Sequence, residues 1–138
     1  LNVGALNFVF AMGGDDVITF SGDTSFQYIY GHGGNDTYRY SAPMNGSLVY
    51  LSSSAETATS GEADRFVFTD LNLEDFTFTT YDYTQGGTVN SAEGVSLRML
   101  WSKDGASGEV RLANMGEQIE EFEFADGTVL DHDDFVFV

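Results

Sequence analysis

The amino-acid sequence predicts an all-β fold, and three observations support that class. Apolar and polar residues alternate with a period of two along most of the chain, which is typical of strands that bury one face. Clusters of Gly, Asn and Asp separate these segments, and no stretch shows sustained helical periodicity. Near the N-terminus, two copies of a loop rich in Gly and Asp each precede an apolar strand, and this motif builds a parallel β-roll.

The alternating segments predict strands along the whole chain. In order they are LNFVF, DVITF, QYIY, DTYRY, SLVYL, DRFVF, DFTFTTYDY, VSLRMLW, EVRL, IEEFEF and DFVFV. Turn signals such as KDGASGE and ADG lie between them and predict hairpins. A short helical turn fits residues 71–75 or 130–135 at most. Residues 45–62 are rich in Ser, Thr and Ala, and we expect a strand followed by an exposed loop there.

The composition limits the partners that the protein can have. Twenty-two acidic residues against 5 basic ones give a net charge of −17, which repels nucleic acid and anionic membranes. There is no cysteine, which excludes disulfides, thiol catalysis and the usual structural zinc sites. No apolar run reaches about 18 residues, so no membrane span is predicted. The acidic excess fits either a soluble secreted or halophilic surface, or carboxylates that bind cations.

The best copy of the loop motif is GHGGNDTYR, residues 31–39. It fits the nonapeptide G-G-x-G-x-D-x-U-x, in which U is a large apolar residue. Asp36 occupies the sixth position and Tyr38 the eighth, while His32 replaces the second glycine. Six residues of such a repeat turn the chain and three form a short strand, so the eighth residue fills the core.

Two further copies precede this one. Residues 11–19, AMGGDDVIT, fit the second half of the motif, with Asp16 at the sixth position. Residues 2–10 form a more degraded copy, with Asn7 at that position. The chain begins at Leu1, and we expect it to be a piece of a longer polypeptide.

The two good loops predict a calcium site. Glycine permits backbone torsions that let carbonyl oxygens converge, and the Asp adds a carboxylate, so both supply the hard oxygen ligands that Ca²⁺ prefers. Loops two repeats apart stack on one side of the roll, so both Asp carboxylates should face the same ion. The predicted metal ligands are Ala11, Gly13, Asp16, Gly31, Gly33 and Asp36. Two unliganded β-turns are the alternative, and a second site at Asn7 or Asp23 is disfavoured.

These repeats and two later segments resemble the RTX, or haemolysin-type calcium-binding, repeat family. GGNDTYRY is similar to the family's last repeat. The segments DRFVFTDLNLEDFTF, residues 64–78, and IEEFEFADGTVL, residues 119–130, are similar to the haemolysin-type calcium-binding-related region. The resemblance implies a short right-handed parallel β-roll, or β-solenoid, capped by a mostly antiparallel β region. We expect RTX-type repeats in residues 1–45 and a C-terminal β cap in residues 46–138 that shares the same core.

The resemblance also implies a function. It suggests a non-catalytic C-terminal module of a bacterial protein exported by type I secretion machinery. Extracellular Ca²⁺ would stabilise the module, which would support export and folding of an upstream cargo domain. The ending DFVFV resembles the acidic-then-apolar terminus of some such proteins. The repeats are few and eroded, so we expect one or two ions rather than many.

Two other functions are open from the residues themselves. Tyr81, Tyr83 and Trp101 could stack on sugar rings in a carbohydrate- or cell-surface-binding module, although packing inside the cap explains them as well. Adjacent carboxylates such as Asp15 and Asp16 would face opposite ways on a strand, whereas a glycosidase needs two across a cleft. No Ser-His-Asp, phosphate-loop or zinc motif is present. We therefore predict no enzyme and no catalytic residue.

Overall fold

The computed structural model describes residues 2–3, 8–20, 27–41, 48–51, 63–81, 96–112, 119–131 and 134. This part of the chain is all-β, which confirms the predicted class. A short 3-10 helix, Leu73–Asp75, lies where the sequence allowed a helical turn. The strands are β1 (Asn2–Val3), β2 (Phe8–Phe10), β3 (Val17–Phe20), β4 (Gln27–Tyr30), β5 (Thr37–Tyr40), β6 (Leu48–Leu51), β7 (Arg65–Phe68), β8 (Phe76–Tyr81), β9 (Ser96–Lys103), β10 (Ala106–Leu112), β11 (Glu121–Glu123) and β12 (Val129–Leu130).

The described strands form two six-stranded sheets. Sheet A has the order β1-β3-β5-β7-β11-β12, and sheet B has the order β2-β4-β6-β10-β9-β8. From β1 to β7, successive strands alternate between the sheets, and each strand pairs in parallel with the strand two places along the chain. Because parallel neighbours need a crossover connection, each connection carries the chain from one sheet to the other.

Parallel pairing extends further along the chain than the sequence predicted. β10 pairs in parallel with β6, and β11 pairs in parallel with β7. The expected antiparallel region is present as the β8-β9-β10 meander and the β11-β12 hairpin. The hairpin turns fall where KDGASGE and ADG predicted them, and Gly105 and Gly127 have the positive φ of 79° and 89° that tight turns require.

Inward-facing side chains of sheet A stack on one another, because its parallel strands place apolar residues at the same register positions. Two rows of in-register side chains cross the sheet, and every member is at most 1% exposed. Neighbouring rings of Phe20, Tyr38 and Phe66 have centroids 5.8–6.5 Å apart. At about 2–3 kcal/mol for each buried aromatic side chain, these rows are a main source of stability. The rows are Ile18, Tyr38, Phe66 and Phe122, and Phe20, Tyr40 and Phe68.

Sheet B covers these rows with its own apolar side chains, and Trp101 on β9 joins the two sheets. Its side chain is only 2% exposed, and its indole Nε1–H donates a hydrogen bond of 2.8 Å to the Tyr40 hydroxyl oxygen. Gly108 on β10 faces Trp101 across the ladder. Packing in the core, rather than exposure to a sugar, is thus the correct explanation of this tryptophan.

Candidate metal centre

Two glycine-rich turns lie side by side at the edge where the chain passes from sheet B into sheet A. Residues 11–16 connect β2 to β3, and residues 31–36 connect β4 to β5. Gly13 and Gly33 form an isolated parallel bridge, and the Gly14 N–H donates a hydrogen bond of 2.7 Å to the Gly33 carbonyl oxygen. The Ala11 N–H donates to the carbonyl oxygen of the residue before Gly31 at 2.8 Å. The loops therefore stack in register, as their twenty-residue spacing indicates.

The backbone of each loop explains why the motif needs glycine. The second position is left-handed in both copies, with φ of 79° at Met12 and 73° at His32, although neither residue is Gly. The fourth position has φ of 118° at Gly14 and 125° at Gly34, where a side chain is strained. At Gly34, a Cβ would also lie 2.3 Å from the Gly14 carbonyl oxygen. The fourth glycine therefore permits both the turn and the close stacking of the loops.

An Asp carboxylate of each loop accepts a hydrogen bond from a backbone amide of the other loop. The Asp16 N–H donates to Asp36 Oδ1 at 2.8 Å, and the Asn35 N–H donates back to Asp15 Oδ1 at 2.9 Å. A charged acceptor makes such hydrogen bonds stronger than neutral ones. Asp15 and Asn35 therefore supply one of these two side-chain hydrogen bonds between the loops.

The same contacts continue onto the next two strands of sheet A. The Asp36 N–H donates to Asp64 Oδ1 at 2.8 Å, and the Asp64 N–H donates to Glu120 Oε2 at 2.6 Å. Each of these acids directly precedes its strand, and the strands are in register. We call the set of Asp16, Asp36, Asp64 and Glu120 the acidic column.

Sequence reasoning missed Asp64 and Glu120, although the signal was present. ADRFVF and IEEFEF share with DDVITF and NDTYRY an acid that precedes two apolar residues at alternate positions. The glycine two residues before the acid in the first two loops is replaced by Glu62 before Asp64 and by Gln118 before Glu120, so the motif search stopped too early. The acid-x-apolar-x-apolar pattern by itself would have found both residues.

The middle of the acidic column holds negative charge away from water, whereas Glu120 at its end is exposed. Asp36 and Asp64 are 0% and 2% exposed, and Asp16 Oδ2 is buried without a hydrogen bond from any described residue. Residues in register on neighbouring strands lie about 5 Å apart. Two carboxylates at that separation repel each other by about 3 kcal/mol at an effective dielectric constant of about 20. This repulsion favours a bound cation.

Four of the 5 basic side chains contact acidic side chains or a carbonyl oxygen outside the acidic column. Arg65 pairs with Glu121 at 3.4 Å and also with Glu123, on the strand next to its own. The Lys103 Nζ donates to the Asp70 carbonyl oxygen at 2.6 Å. The other two, Arg98 and Arg111, share the carboxylate of Glu109.

That shared carboxylate has a perturbed acidity. Burial alone would raise the pKa of Glu109, but the hydrogen bonds and charges of Arg98 and Arg111 outweigh it and hold the pKa below its ordinary value.

The carboxylate of Asp126, in the ADG turn, also accepts hydrogen bonds. The side chain and backbone of Thr128, together with the Leu73 N–H, lower the pKa of Asp126. These contacts give Asp126 a structural role in its turn.

The donors at the paired loops fit a hard cation. A carboxylate offers two oxygens, so an oxygen that accepts an amide proton leaves another to coordinate a metal. Among the described residues, His, Asp and Glu side chains nowhere gather in the threes or more that would form a metal centre by themselves. A cation between the loops would therefore use the carboxylates of Asp16 and Asp36 with backbone carbonyl oxygens. The six ligand assignments remain predictions.

Several residues that the sequence singled out lie outside the described part of the chain. They are Asn7, Asp23, Tyr83 and residues 135–138. The side chain of Tyr81 also lies outside it. His32 is described, and its ring stacks near Tyr30 and Phe10 at centroid distances of 5.8 and 6.3 Å.

Glycine turns that end on stacked carboxylates, in an all-β chain, are typical of calcium-binding modules. Residues 103–134 match the family model of the haemolysin-type calcium binding protein related domain. The match covers residues 119–130 and so confirms the family resemblance. Residues 64–78 lie outside it. Comparison with curated proteins and with solved structures gave no match. In the described part, no helix is long and apolar enough to cross a bilayer.

Proposed function

We propose that this chain is a non-catalytic calcium-binding module of the RTX type, with one Ca²⁺ between loops 11–16 and 31–36. The observation that carries the proposal is the acidic column, in which Asp36 and Asp64 are buried in register beside two stacked glycine turns. The ligands would be the carboxylates of Asp16 and Asp36 and the carbonyl oxygens of Ala11, Gly13, Gly31 and Gly33.

The chemistry of the site favours Ca²⁺ over Mg²⁺. Calcium accepts many oxygen ligands in flexible geometry, whereas Mg²⁺ demands a small octahedral site and retains water. Two carboxylates with several carbonyl oxygens suit the larger ion. Extracellular calcium modules have a Kd of about 10⁻⁴–10⁻³ M. Such a site is empty at cytosolic calcium concentrations and fills outside the cell.

The family-model match over residues 103–134 and the resemblance of the repeats extend the proposal to the biological role. We infer that the strand alternation between the sheets is a right-handed β-roll, with RTX-type repeats in residues 1–45 and a cap in residues 46–138. The module would belong to a bacterial protein exported by type I secretion machinery, and it would set its fold outside the cell and support an upstream cargo domain. Secretion of a passenger enzyme fused before residue 1 measures this role. A passenger secreted equally without the chain would exclude it.

Calcium is expected to raise the melting temperature of the protein. At ten times its Kd, one ion adds about 1.4 kcal/mol, which corresponds to roughly 5 °C for a chain of this size. The double variant Asp16→Asn/Asp36→Asn should lose this response, because the amides keep hydrogen-bond acceptors but not charge. Without calcium, the double variant should be the more stable protein, because the repulsion is relieved. Thermal unfolding over a calcium titration measures both effects.

The control for this experiment is Glu74→Gln/Asp104→Asn, which also neutralises two acids but at exposed positions. It should keep the full calcium response. A double loop variant that responds to calcium as strongly as the wild type would show that the ion lies elsewhere. A wild type that does not respond at any calcium concentration would contradict calcium binding itself.

A further inference from the structure

We propose that Asp64 and Glu120 are positioning residues for the paired loops. Through a relay of carboxylate-to-amide hydrogen bonds, Glu120 would fix the loop ends that bear Asp36 and Asp16. The effect on calcium rests on the proposed function, but the relay itself exists in the protein without any ion. The acidic column is thus not a second ion site in this proposal, since Asp64 and Glu120 act through other residues.

The relay starts from the reciprocal hydrogen bonds between Asp64 and the segment at Glu120, which we call the clasp. The Asp64 N–H donates to Glu120 Oε2 at 2.6 Å, and the Glu120 N–H donates back to the Asp64 carbonyl oxygen at 3.1 Å. The Glu121 N–H donates to the same oxygen at 3.2 Å. Three hydrogen bonds therefore fix the backbone of Asp64 just before β7. Glu120 lies within the segment that matches the family model.

The clasp sets the position of the next carboxylate. Asp64 Oδ1 accepts the Asp36 N–H at 2.8 Å, and the Asp36 carbonyl oxygen accepts the Arg65 N–H at 2.8 Å. With its N–H and C=O both held, Asp36 has a fixed backbone, and its Oδ1 accepts the Asp16 N–H at 2.8 Å. Each acid therefore positions the acid of the preceding loop.

The direction of these bonds makes Glu120 the end of the relay. The carboxylates of Asp36, Asp64 and Glu120 each accept from the amide of the column member before it. Asp16 therefore depends on Asp36, Asp36 on Asp64, and Asp64 on Glu120. Loss of the last acceptor should loosen the amides in turn, with an effect that decreases towards Asp16. Coupling between two sites commonly changes affinity about 5- to 150-fold. For a relay of three bonds, we expect the low end of that range.

The test compares Glu120→Ala with Glu120→Gln. Glutamine keeps an acceptor oxygen at the same reach, whereas alanine removes it. The matched control is Glu121→Ala, the same truncation at the next residue, whose carboxylate pairs with Arg65. Amide hydrogen exchange and amide chemical shifts in calcium-free protein report the relay, and calcium titration of the same samples reports affinity.

Glu120→Ala should raise amide exchange most at Asp64 and less at Asp36, and should weaken calcium binding about fivefold. Glu120→Gln should stay within about twofold of the wild type, and Glu121→Ala should leave the column amides unchanged. If Glu120→Ala does not fold, Glu120→Asp takes its place, because its acceptor is one methylene too short.

Three results would overturn the relay. In the first, the effect of Glu120→Ala stops at Asp64 and calcium affinity is unchanged. In the second, Glu120→Gln behaves as badly as alanine, so that the acceptor oxygen is not the cause. In the third, Glu121→Ala loosens the column equally. A wild type that binds no calcium would instead refute the proposed function, while the amide measurements in calcium-free protein would still decide the relay.

Discussion

The substitution Gly34→Ala is expected to destabilise the protein by about 4 kcal/mol. Two costs add at this position. The backbone has φ of 125°, which strains any residue with a Cβ. The new Cβ would also lie 2.3 Å from the carbonyl oxygen and 2.5 Å from the carbonyl carbon of Gly14. Because these are backbone atoms, no side-chain rotation relieves the clash, and the loops must separate.

Gly14→Ala is the matched control for that prediction. Its φ of 118° carries the same strain, but a Cβ at Gly14 would meet no atom within 4 Å. We expect it to cost about 2 kcal/mol, which is the strain alone. Urea denaturation gives both free energies of unfolding. Equal losses for the two variants would contradict close stacking of the loops.

The second large effect is expected for Gly108→Ala, at about 3 kcal/mol. A Cβ on Gly108 would lie 2.5 Å from Trp101 Nε1 and 2.8 Å from its Cε2. The buried indole cannot shift freely, and a displaced ring would lose its hydrogen bond to the Tyr40 hydroxyl. The substitution therefore overpacks the core and also breaks the polar contact that joins the two sheets.

Trp101 is the single tryptophan, so its fluorescence reports this change directly. Gly108→Ala should shift the emission to longer wavelength and lower the urea midpoint. Thr77→Ala, at an exposed position on β8 of the same sheet, should change neither quantity. A Gly108→Ala variant with unchanged emission and stability would contradict the described contact between β9 and β10.

Most strands were predictable because alternation of apolar and polar residues is a local property. β1 and β12 were not, because strands of two residues contain no period. The parallel pairing of β10 with β6 was also missed, since it depends on which distant strands meet. Strands β8 and β9 lie between β6 and β10 in the chain. No local signal in EVRL shows that β10 continues the parallel ladder.

The candidate site was predictable where glycine marks it. The loops at residues 11–16 and 31–36 came from torsions that only glycine adopts easily. Asp64 and Glu120 were missed because the sequence before them lacks the Gly-Gly pair, although their strands carry the same pattern. The hydrogen bond from the Asn35 N–H to the Asp15 carboxylate could not be predicted, because it depends on how the two loops stack in the fold.

The central claim is that one Ca²⁺ lies between the paired loops, and a crystal structure at millimolar calcium tests it most directly. Long-wavelength anomalous data locate the ion without relying on coordination distances. The account predicts a peak between the two loops, in contact with the carboxylates of Asp16 and Asp36. A saturated protein with no peak there, or with its ion at another group such as the Asp131 and Asp134 turn, would contradict it.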